Sequence, residues 1–358
     1  MVSRAAFNRN LHGLRGYAAL GVFFSHCYTI PRDYGFWPEH LSVRFGEFLH
    51  LGRYGVEIFF LISGYLITES LRRKADIRVF LIERSIRLHP AYIGVLIPLF
   101  AIKWLSGSPF LGTRELSAVP LHFISNALFL PGVLPLPLAL GAGWTLSFEA
   151  AFYLTAVAAF WLARRYATVI VASVCVMIGA VLAARYPGVV FFFVGAGVYL
   201  YRDALRAWPA LFRWPLAALV IWMLQWPVVL VGYAASHRLT TPGMLLFAGS
   251  TFASLLFFVP TVDGVGVLAR LLRTRVFQYF GDISYSFYLW HSPVMIVVDR
   301  SLQHLLPSTL SDGARIAVLA LASLPVAIVA AHLSWRICEK GIGNALRRRL
   351  LPRLHPVV

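Results

Sequence analysis

Long apolar segments dominate this chain, and they decide what it can fold into. A helix needs about 20 mostly apolar residues to cross a bilayer, and ten segments near that length lie between residues 11 and 336. Hydrophobic residues make up 59% of the 358 positions and charged residues 13%, whereas soluble domains have about 45–50% and about 25%. The sequence therefore predicts an all-α fold, a polytopic integral membrane helical bundle of about ten transmembrane helices. The predicted spans are residues 11–30, 55–71, 88–106, 144–162, 166–184, 187–201, 214–235, 243–261, 277–298 and 315–336.

The basic residues predict how this bundle is oriented. Most of the 32 Lys and Arg residues fall near the N-terminus, in alternate loops and after residue 335. Because cytoplasmic loops carry such an excess, we expect both termini in the cytoplasm and an even number of spans. We expect one membrane domain over residues 1–340 and a short basic cytoplasmic tail over 341–358, which either contacts anionic lipid or only fixes the topology.

Composition also argues against two kinds of partner. The net charge of +17 is typical of nucleic-acid binding, but the basic residues stand in short gaps between apolar runs and not on one face of a soluble fold. Cys27, Cys175 and Cys338 have no paired spacing and no CxxC motif, so neither a disulfide framework nor a zinc site is predicted. We therefore expect no nucleic-acid partner and no metal.

The first apolar segment carries two ionisable residues, Arg15 and His26. Eleven residues are close to three turns of an α-helix, so the two side chains share one face at a separation of about 16 Å. Ionisable residues inside a membrane segment usually face the protein interior and mark a reaction centre or a pathway. The structural alternative is a hydrogen bond between helices, and we favour catalysis for His26.

Two other segments are expected to bring ionisable groups to the depth of His26. Counting along each helix at about 1.5 Å per residue places Glu149 and His291 in the outer half of the membrane as well. A carboxylate can orient a histidine, which then takes a proton from a hydroxyl group. A buried protonated acid and packing histidines are the alternative explanation. This level is the predicted reaction centre.

A second polar cluster is expected on the cytoplasmic side. Arg84 and Arg87 are three residues apart, just before a helix predicted to start near His89, so their guanidinium groups would point the same way. Such a pair suits a phosphate, although the positive-inside rule alone also accounts for it. In the second segment, Glu57 lies near the outer end, and Ser63 stands before Gly64 at mid-depth, where close helix packing is the simpler explanation.

Five motifs together resemble a known family. In chain order they are LRGYAALGVFFSH, GVEIFFLISGYLI, RSIRLHPAY, WTLSFEAAFYL and ISYSFYLWHSPV. In this order they are similar to the membrane acyltransferase-3 family, which O-acylates bacterial surface polysaccharides, lipopolysaccharide, Nod factors and some macrolides. The resemblance extends from about residue 10 to about residue 335.

The resemblance implies roles for particular residues. His26 matches the histidine regarded as essential for acyl transfer, and Arg15 matches its basic partner. Arg84 and Arg87 match a pair associated with an acyl-CoA donor. The remaining matched positions have less settled roles, and they are Glu57, Ser63-Gly64, Glu149 and His291.

The expected function is therefore membrane O-acyltransfer. An acyl group, acetyl by family frequency, would pass from cytoplasmic acyl-CoA to a hydroxyl of a glycan or glycolipid in the bacterial inner membrane. His26 would act as catalytic base, with Glu149, His291 and Arg15 in the catalytic site. Arg84, Arg87 and Arg15 would bind the acyl-CoA donor, and Glu57 and Ser63 would lie near the substrate. Direct transfer and transfer through an acyl group on His26 or Ser63 both remain open. The alternative function is a glycolipid exporter or flippase that uses Arg15, His26 and Glu149 as a relay.

Overall fold

Helices account for nearly all the regular structure of the chain. The computed structural model describes residues 7–33, 51–74, 76–106, 118–236, 241–307 and 310–351. These ranges hold fourteen α-helices, one π-helical segment and three short 3-10 turns, and within them no β-strand forms. The α-helices are α1 (Arg9–Asp33), α2 (Gly55–Lys74), α3 (Ile77–Leu105), α4 (Ala118–Ala127), α5 (Gly143–Leu162), α6 (Thr168–Ala183), α7 (Val190–Leu200), α8 (Arg202–Arg206), α9 (Pro215–Ser236), α10 (Thr241–Asp263), α11 (Gly266–Leu272), α12 (Arg275–Gln303), α13 (Asp312–Ser334) and α14 (Gly343–Leu350).

The chain divides into two compact units, and neither is continuous in sequence. Unit 1 consists of Met1–Ser25, Arg44–Thr68 and Pro187–Ser284. Unit 2 consists of His26–Val43, Glu69–Tyr186 and Tyr285–Val358. Helices α1, α2 and α12 each pass from one unit into the other.

Four helical stretches among the described residues are long and apolar enough to cross a membrane. They are Ile77–Leu105, Gly143–Leu162, Thr241–Asp263 and Asp312–Leu350. Helices α1, α2 and α12 also exceed 18 residues but carry several charged residues each. Three further apolar stretches have 10–17 residues, and they are α6, Pro187–Leu200 around α7 and the Pro215–Val229 part of α9. The all-helical character is confirmed, and the number of ten spans and the cytoplasmic termini stay predictions.

In unit 1, close contact between α2 and α7 depends on glycine. A Cβ atom at Gly64 of α2 would collide with the backbone carbonyl of Phe192, and one at Gly195 of α7 would collide with that of Leu61. The Phe60 and Phe192 rings stack beside this contact with centroids 4.1 Å apart. Small residues let membrane helices approach closely, which agrees with a packing role for the Ser63-Gly64 pair.

Helix α3, in unit 2, begins earlier than its sequence indicates. The Asp76 side chain caps it by accepting hydrogen bonds from the backbone N–H groups of Arg78 and Val79, at 2.8 and 3.2 Å. Such a cap satisfies N–H groups that have no partner within the helix. The expected start near His89 is therefore wrong, and Arg84 and Arg87 lie inside the helix, about 10 and 15 Å from its first residue.

The residues before α5 pack against helix α3 in unit 2. Phe129 has a φ of 57°, a backbone conformation uncommon for a residue with a side chain, and its ring lies 5.0 Å from that of the fully buried Tyr92. The first residue of α5, Gly143, packs against the Tyr92 hydroxyl. Since Tyr92 is at the middle of α3, α5 starts at the middle level of that helix.

The C-terminal helix runs past the domain boundary expected at residue 340. Helix α13 continues through a π-helical segment, Trp335–Ile342, into α14, so that Asp312–Leu350 forms one helical stretch. Residues 341–350 of the expected tail are thus the end of this helix. Residues 352–358 lie outside the described part of the chain.

Candidate active site

The structure brings His26 and His291 into direct contact within unit 2. The Nδ1 atom of His26, near the end of α1, is 2.7 Å from the Nε2 atom of His291 on α12. The ring planes differ by 22° and the centroids are 4.9 Å apart, so the two rings meet with these nitrogen atoms facing each other. His291 is buried, whereas His26 is half-buried.

The partners of His291 fix which nitrogen of each ring carries the proton. The Nδ1 atom of His291 is 3.1 Å from the carbonyl oxygen of Phe287, and because a carbonyl only accepts, Nδ1 must donate. Nε2 of a neutral His291 is then an acceptor, so Nδ1 of His26 donates to it. The lone pair of a neutral His26 ring is consequently on Nε2, the nitrogen that points away from His291.

A second hydrogen bond joins α12 to α5 one turn before His291 in the chain. The Tyr288 and Thr145 hydroxyl oxygens are 2.9 Å apart, and the Thr145 hydroxyl donates to the carbonyl of Ala142 at 3.0 Å. The Tyr288 hydroxyl is therefore the donor in the first contact. The Tyr288 ring also lies 5.7 Å from the His291 ring. These contacts fix the rotation of α12 about its own axis at the level of His291.

Glu149 lies with the arginine pair of α3, at a different place from the one expected. The Tyr153 hydroxyl donates to Glu149 Oε1 at 2.6 Å, and the guanidinium carbon of Arg84 is 5.7 Å from the centre of the Tyr153 ring. Arg84 and Arg87 both interact electrostatically with Glu149. The structure thus groups Glu149 with Arg84 and Arg87.

The reason for this difference is the starting level of α5. The expected depth of Glu149 is counted from Trp144 as though α5 began at the outer surface, but α5 begins beside Tyr92. Six residues from Gly143 to Glu149 span about 9 Å, and five residues from Tyr92 back to Arg87 span about 7.5 Å. Both paths lead towards the first turns of α3, so the carboxylate and the guanidinium groups reach the same level.

Arg87 has unused hydrogen-bonding capacity. Its side chain is half-buried, and within the described residues it makes no hydrogen bond and no ion pair with an N···O distance of 4.0 Å or less. A guanidinium group has five N–H donors in a fixed fork that matches phosphate. Arg87 can therefore offer these donors to an anionic ligand.

Helix α12 connects the arginine cluster with the histidine pair. The Tyr285 hydroxyl donates to the carbonyl of Leu88, next to Arg87, at 2.9 Å. His291 lies six residues further along the same helix, a rise of about 9 Å. The arginine cluster and the histidine pair are thus spaced along α12 within unit 2.

Arg15 and His26 lie in one unbroken helix, α1. Arg15 belongs to unit 1 and is half-buried. It interacts electrostatically with His12, whose Nε2 is 3.2 Å from Asp282 Oδ1. Arg15 therefore interacts with the polar group at the start of α1.

Glu57 is fully buried in unit 1, in the first turn of α2. The indole nitrogen of Trp226 on α9 donates to its Oε1 at 2.8 Å. Phe191 packs edge-on against Trp226 with centroids 4.8 Å apart. A carboxylate in these surroundings holds two helices together, which is the structural alternative to substrate binding. Ser63 is half-buried in the same helix.

Sequence reasoning missed three residues that interact with the predicted ones. Tyr153 stands four residues after Glu149, a spacing that places side chains on one helix face, and this signal is present in the sequence. Trp226 is one of ten tryptophans, and nothing local singles it out as the partner of Glu57. Glu339 is the one carboxylate side chain in the sequence after Asp312, and it interacts electrostatically with Arg87.

Comparisons with known proteins agree on one family. The model of the acyltransferase-3 family, described as an acyltransferase domain, matches residues 8–332. The chain is 26% identical to acyltransferase MdmB of Streptomyces mycarofaciens, over 95% of this chain and 92% of the relative. It is 25% identical to exopolysaccharide production protein ExoZ of Rhizobium meliloti, over 73% and 82% of the two chains. No solved structure matches the chain.

The family match decides between the two functions that the sequence left open. It covers most of the chain, including the histidine pair and the arginine pair of unit 2. One relative is itself named an acyltransferase, so the enzyme replaces the exporter. The apolar helices and the family together make the chain an integral membrane protein. The chain belongs to the acyltransferase-3 family, and it is an acyltransferase.

Proposed function

We propose that this acyltransferase moves an acyl group from acyl-CoA to a hydroxyl group of a glycan or glycolipid, with His26 as the general base. The observation that carries the proposal is the 2.7 Å contact between His26 Nδ1 and His291 Nε2. It directs the basic nitrogen of His26, Nε2, away from its partner and towards a substrate. A histidine held in one tautomer by a hydrogen bond on its other nitrogen is the usual form of a catalytic base.

In this proposal Arg84 and Arg87 bind the phosphates of the donor. The support is the hydrogen-bonding capacity of Arg87 and the position of Tyr285, which bonds to the carbonyl next to Arg87 and precedes His291 by a rise of about 9 Å along α12. The phosphates would bind at the arginine pair, and the pantetheine arm would extend along α12 towards His26. Glu149, through Tyr153, then belongs to the donor site and not to the base.

The proposed reaction is a direct transfer. His26 Nε2 removes the proton of the acceptor hydroxyl while the oxygen attacks the thioester carbonyl carbon. The tetrahedral intermediate collapses, the carbon–sulfur bond breaks, and the leaving thiolate takes the proton from the His26 imidazolium. The products are an ester and CoA, and His26 returns to its neutral state.

The family and the charge distribution support the acceptor and the location that we propose. We propose acetyl as the acyl group and the bacterial inner membrane as the location. ExoZ, a relative, is named an exopolysaccharide production protein, which supports a glycan acceptor. The positive-inside rule places the start of α3, and with it the donor site, on the cytoplasmic side.

Substitution of His26 tests this proposal. The purified protein would be incubated with radiolabelled acetyl-CoA and a glycan fraction of the source cells, and the release of CoA thiol and the labelling of glycan would be measured. We expect His26→Ala and His26→Gln each to lower kcat by a factor of about 10² or more. Phe24→Ala is the matched control, because Phe24 is exposed on the same helix. Normal turnover in the His26 variants at equal protein levels would refute the proposal.

A further inference from the structure

Glu339 owes its position to a change in helical register. It lies in the π-helical segment Trp335–Ile342, at whose end the backbone N–H of Gly343 bonds to the carbonyl of Cys338, five residues earlier. π-helical turns are rare and are frequently found at functional sites. This segment lies beyond residue 332, where the family match ends.

The π register places residues five apart on one face. In an α-helix, side chains five residues apart differ by about 140° in direction. Here Ser334 and Glu339 both reach the hydroxyl of Ser286, at 3.1 and 2.5 Å. Likewise the Lys340 ammonium lies 3.9 Å from the centre of the Trp335 ring. The register therefore sends Glu339 inward, towards α12.

Ser286 holds the Glu339 carboxylate in place. Ser286 is fully buried, and both its hydroxyl and its backbone N–H donate to Glu339 Oε1, the latter at 3.2 Å. Two hydrogen bonds therefore meet at one oxygen of the Glu339 side chain. The structure thus holds the Glu339 carboxyl group in one position in unit 2.

The Glu339 carboxyl group acts on Arg87 at a distance. Arg87 interacts electrostatically with Glu339 and with Glu149, and the C-terminal helix packs on α3 beside it, since Gly343 lies next to the carbonyl of Ile86. No ion pair with an N···O distance of 4.0 Å or less joins Arg87 to either acid. The carboxylates therefore balance the charge of the arginine pair without using the donors of Arg87.

We propose that Glu339 tunes the affinity of the donor site by weakening the binding of the CoA phosphates at Arg84 and Arg87. This inference rests on the proposed donor site. A fixed carboxylate near the arginine pair offsets its charge while the site is empty. It also repels the phosphates of acyl-CoA and of the product CoA, which favours product release. The balance of two arginines and two carboxylates sets how tightly acyl-CoA and CoA bind.

The proposal predicts opposite changes in CoA binding when the charges of Glu339 and of Arg87 are removed. Removing the negative charge with Glu339→Gln, whose amide oxygen still accepts from Ser286, should tighten CoA binding by about 3- to 10-fold at low salt. Removing the positive charge with Arg87→Gln should weaken it by a similar or larger factor. A loss of structure alone would weaken binding in both variants, so the tightening is specific to the proposal.

The experiment measures CoA binding and the KM for acetyl-CoA with the full chain in detergent or nanodiscs. The variants are Glu339→Gln, Glu339→Ala as a second removal of the same charge, and Asp203→Asn as the control. Asp203 is fully exposed, so we expect its substitution to leave CoA binding unchanged. The tightening should shrink as salt is raised to about 0.5 M, because screening weakens the repulsion.

The outcomes separate this inference from the proposed donor site. Tighter CoA binding in a folded Glu339 variant, with weaker binding in Arg87→Gln, supports both. Weaker binding in Arg87→Gln with unchanged or weaker binding in every folded Glu339 variant overturns only the role of Glu339. Unchanged binding in Arg87→Gln overturns the donor site itself.

Discussion

At the scale of single residues, the proposed chemistry depends on a partner that never touches the substrate. In the proposed mechanism His26 is a better base because its Nδ1–H donates a hydrogen bond to His291, which is itself fixed by the Phe287 carbonyl. The chain from carbonyl to histidine to histidine is aligned before any substrate binds. A preorganised base avoids the cost of selecting a tautomer during the reaction.

The effect of a substitution at His291 on kcat should depend on whether the new side chain can accept a hydrogen bond from His26. Glutamine places an oxygen near the position of Nε2, whereas leucine fills a similar volume without an acceptor. We therefore expect kcat to fall in the order wild type, His291→Gln, His291→Leu, with a loss of about 10- to 100-fold for leucine. The KM for acetyl-CoA should stay within about twofold, because the proposed binding site of the donor phosphates, at Arg84 and Arg87, does not include His291.

Steady-state kinetics of both His291 variants at matched protein levels test this order. Thermal unfolding of the purified proteins serves as the control for folding. Equal activity in the glutamine and leucine variants would contradict the hydrogen-bond argument, and a large rise in the KM for acetyl-CoA would place His291 in donor binding.

The residues that the sequence locates well are those on long unbroken helices. His26 and His291 are expected at one level because residues can be counted along α1 and α12. The expected place of Glu149 is wrong because the level at which α5 begins is set by the preceding chain packing on Tyr92. Glu339 is missed because a π register cannot be read from apolar periodicity, whose repeat assumes 3.6 residues per turn.

At the scale of helices, the close contact between α2 and α7 depends on glycine residues without a side chain. Gly195 leaves no room for a Cβ atom, since the carbonyl of Leu61 and the backbone N–H of Tyr65 lie against it. Two residues further along α7, a Cβ atom added at Gly197 would meet no neighbouring atom of the described residues within 4 Å. One helix thus carries a constrained glycine and an unconstrained one.

Alanine substitutions should separate these two glycines. Gly195→Ala forces α2 and α7 apart and should lower the free energy of unfolding by about 1–3 kcal/mol. Gly197→Ala should leave it unchanged or raise it by up to about 1 kcal/mol, because alanine favours a helix over glycine. Thermal unfolding of both variants in the same detergent is the measurement. Equal melting temperatures would argue against the close contact.

At the scale of the whole molecule, the basic residues predict which side each helix end faces. Helix α3 is about 43 Å long, longer than the apolar core of a bilayer at about 30 Å. Its two ends, at Arg78 and Ser106, are both exposed. In the predicted topology they therefore lie on opposite sides of the membrane.

Cysteine labelling tests this orientation in intact cells. In a background without Cys27, Cys175 and Cys338, we expect Arg78→Cys to react only with a membrane-permeant reagent. We expect Ser106→Cys to react with an impermeant reagent added from outside as well. The reverse pattern would invert the topology and would place the proposed donor site away from cytoplasmic acyl-CoA.

The π-helical segment also sets how this chain tolerates changes in length. Loops on a protein surface accept added or lost residues with little effect, whereas a helical register propagates every change to the residues beyond it. Insertion of one codon between Ser334 and Glu339 would turn the following residues by about 100° and carry the carboxylate away from Ser286. Deletion of one codon would instead leave the two residues four apart, a spacing that shares one face of an ordinary α-helix, so this part of the chain is more sensitive to added residues than to lost ones.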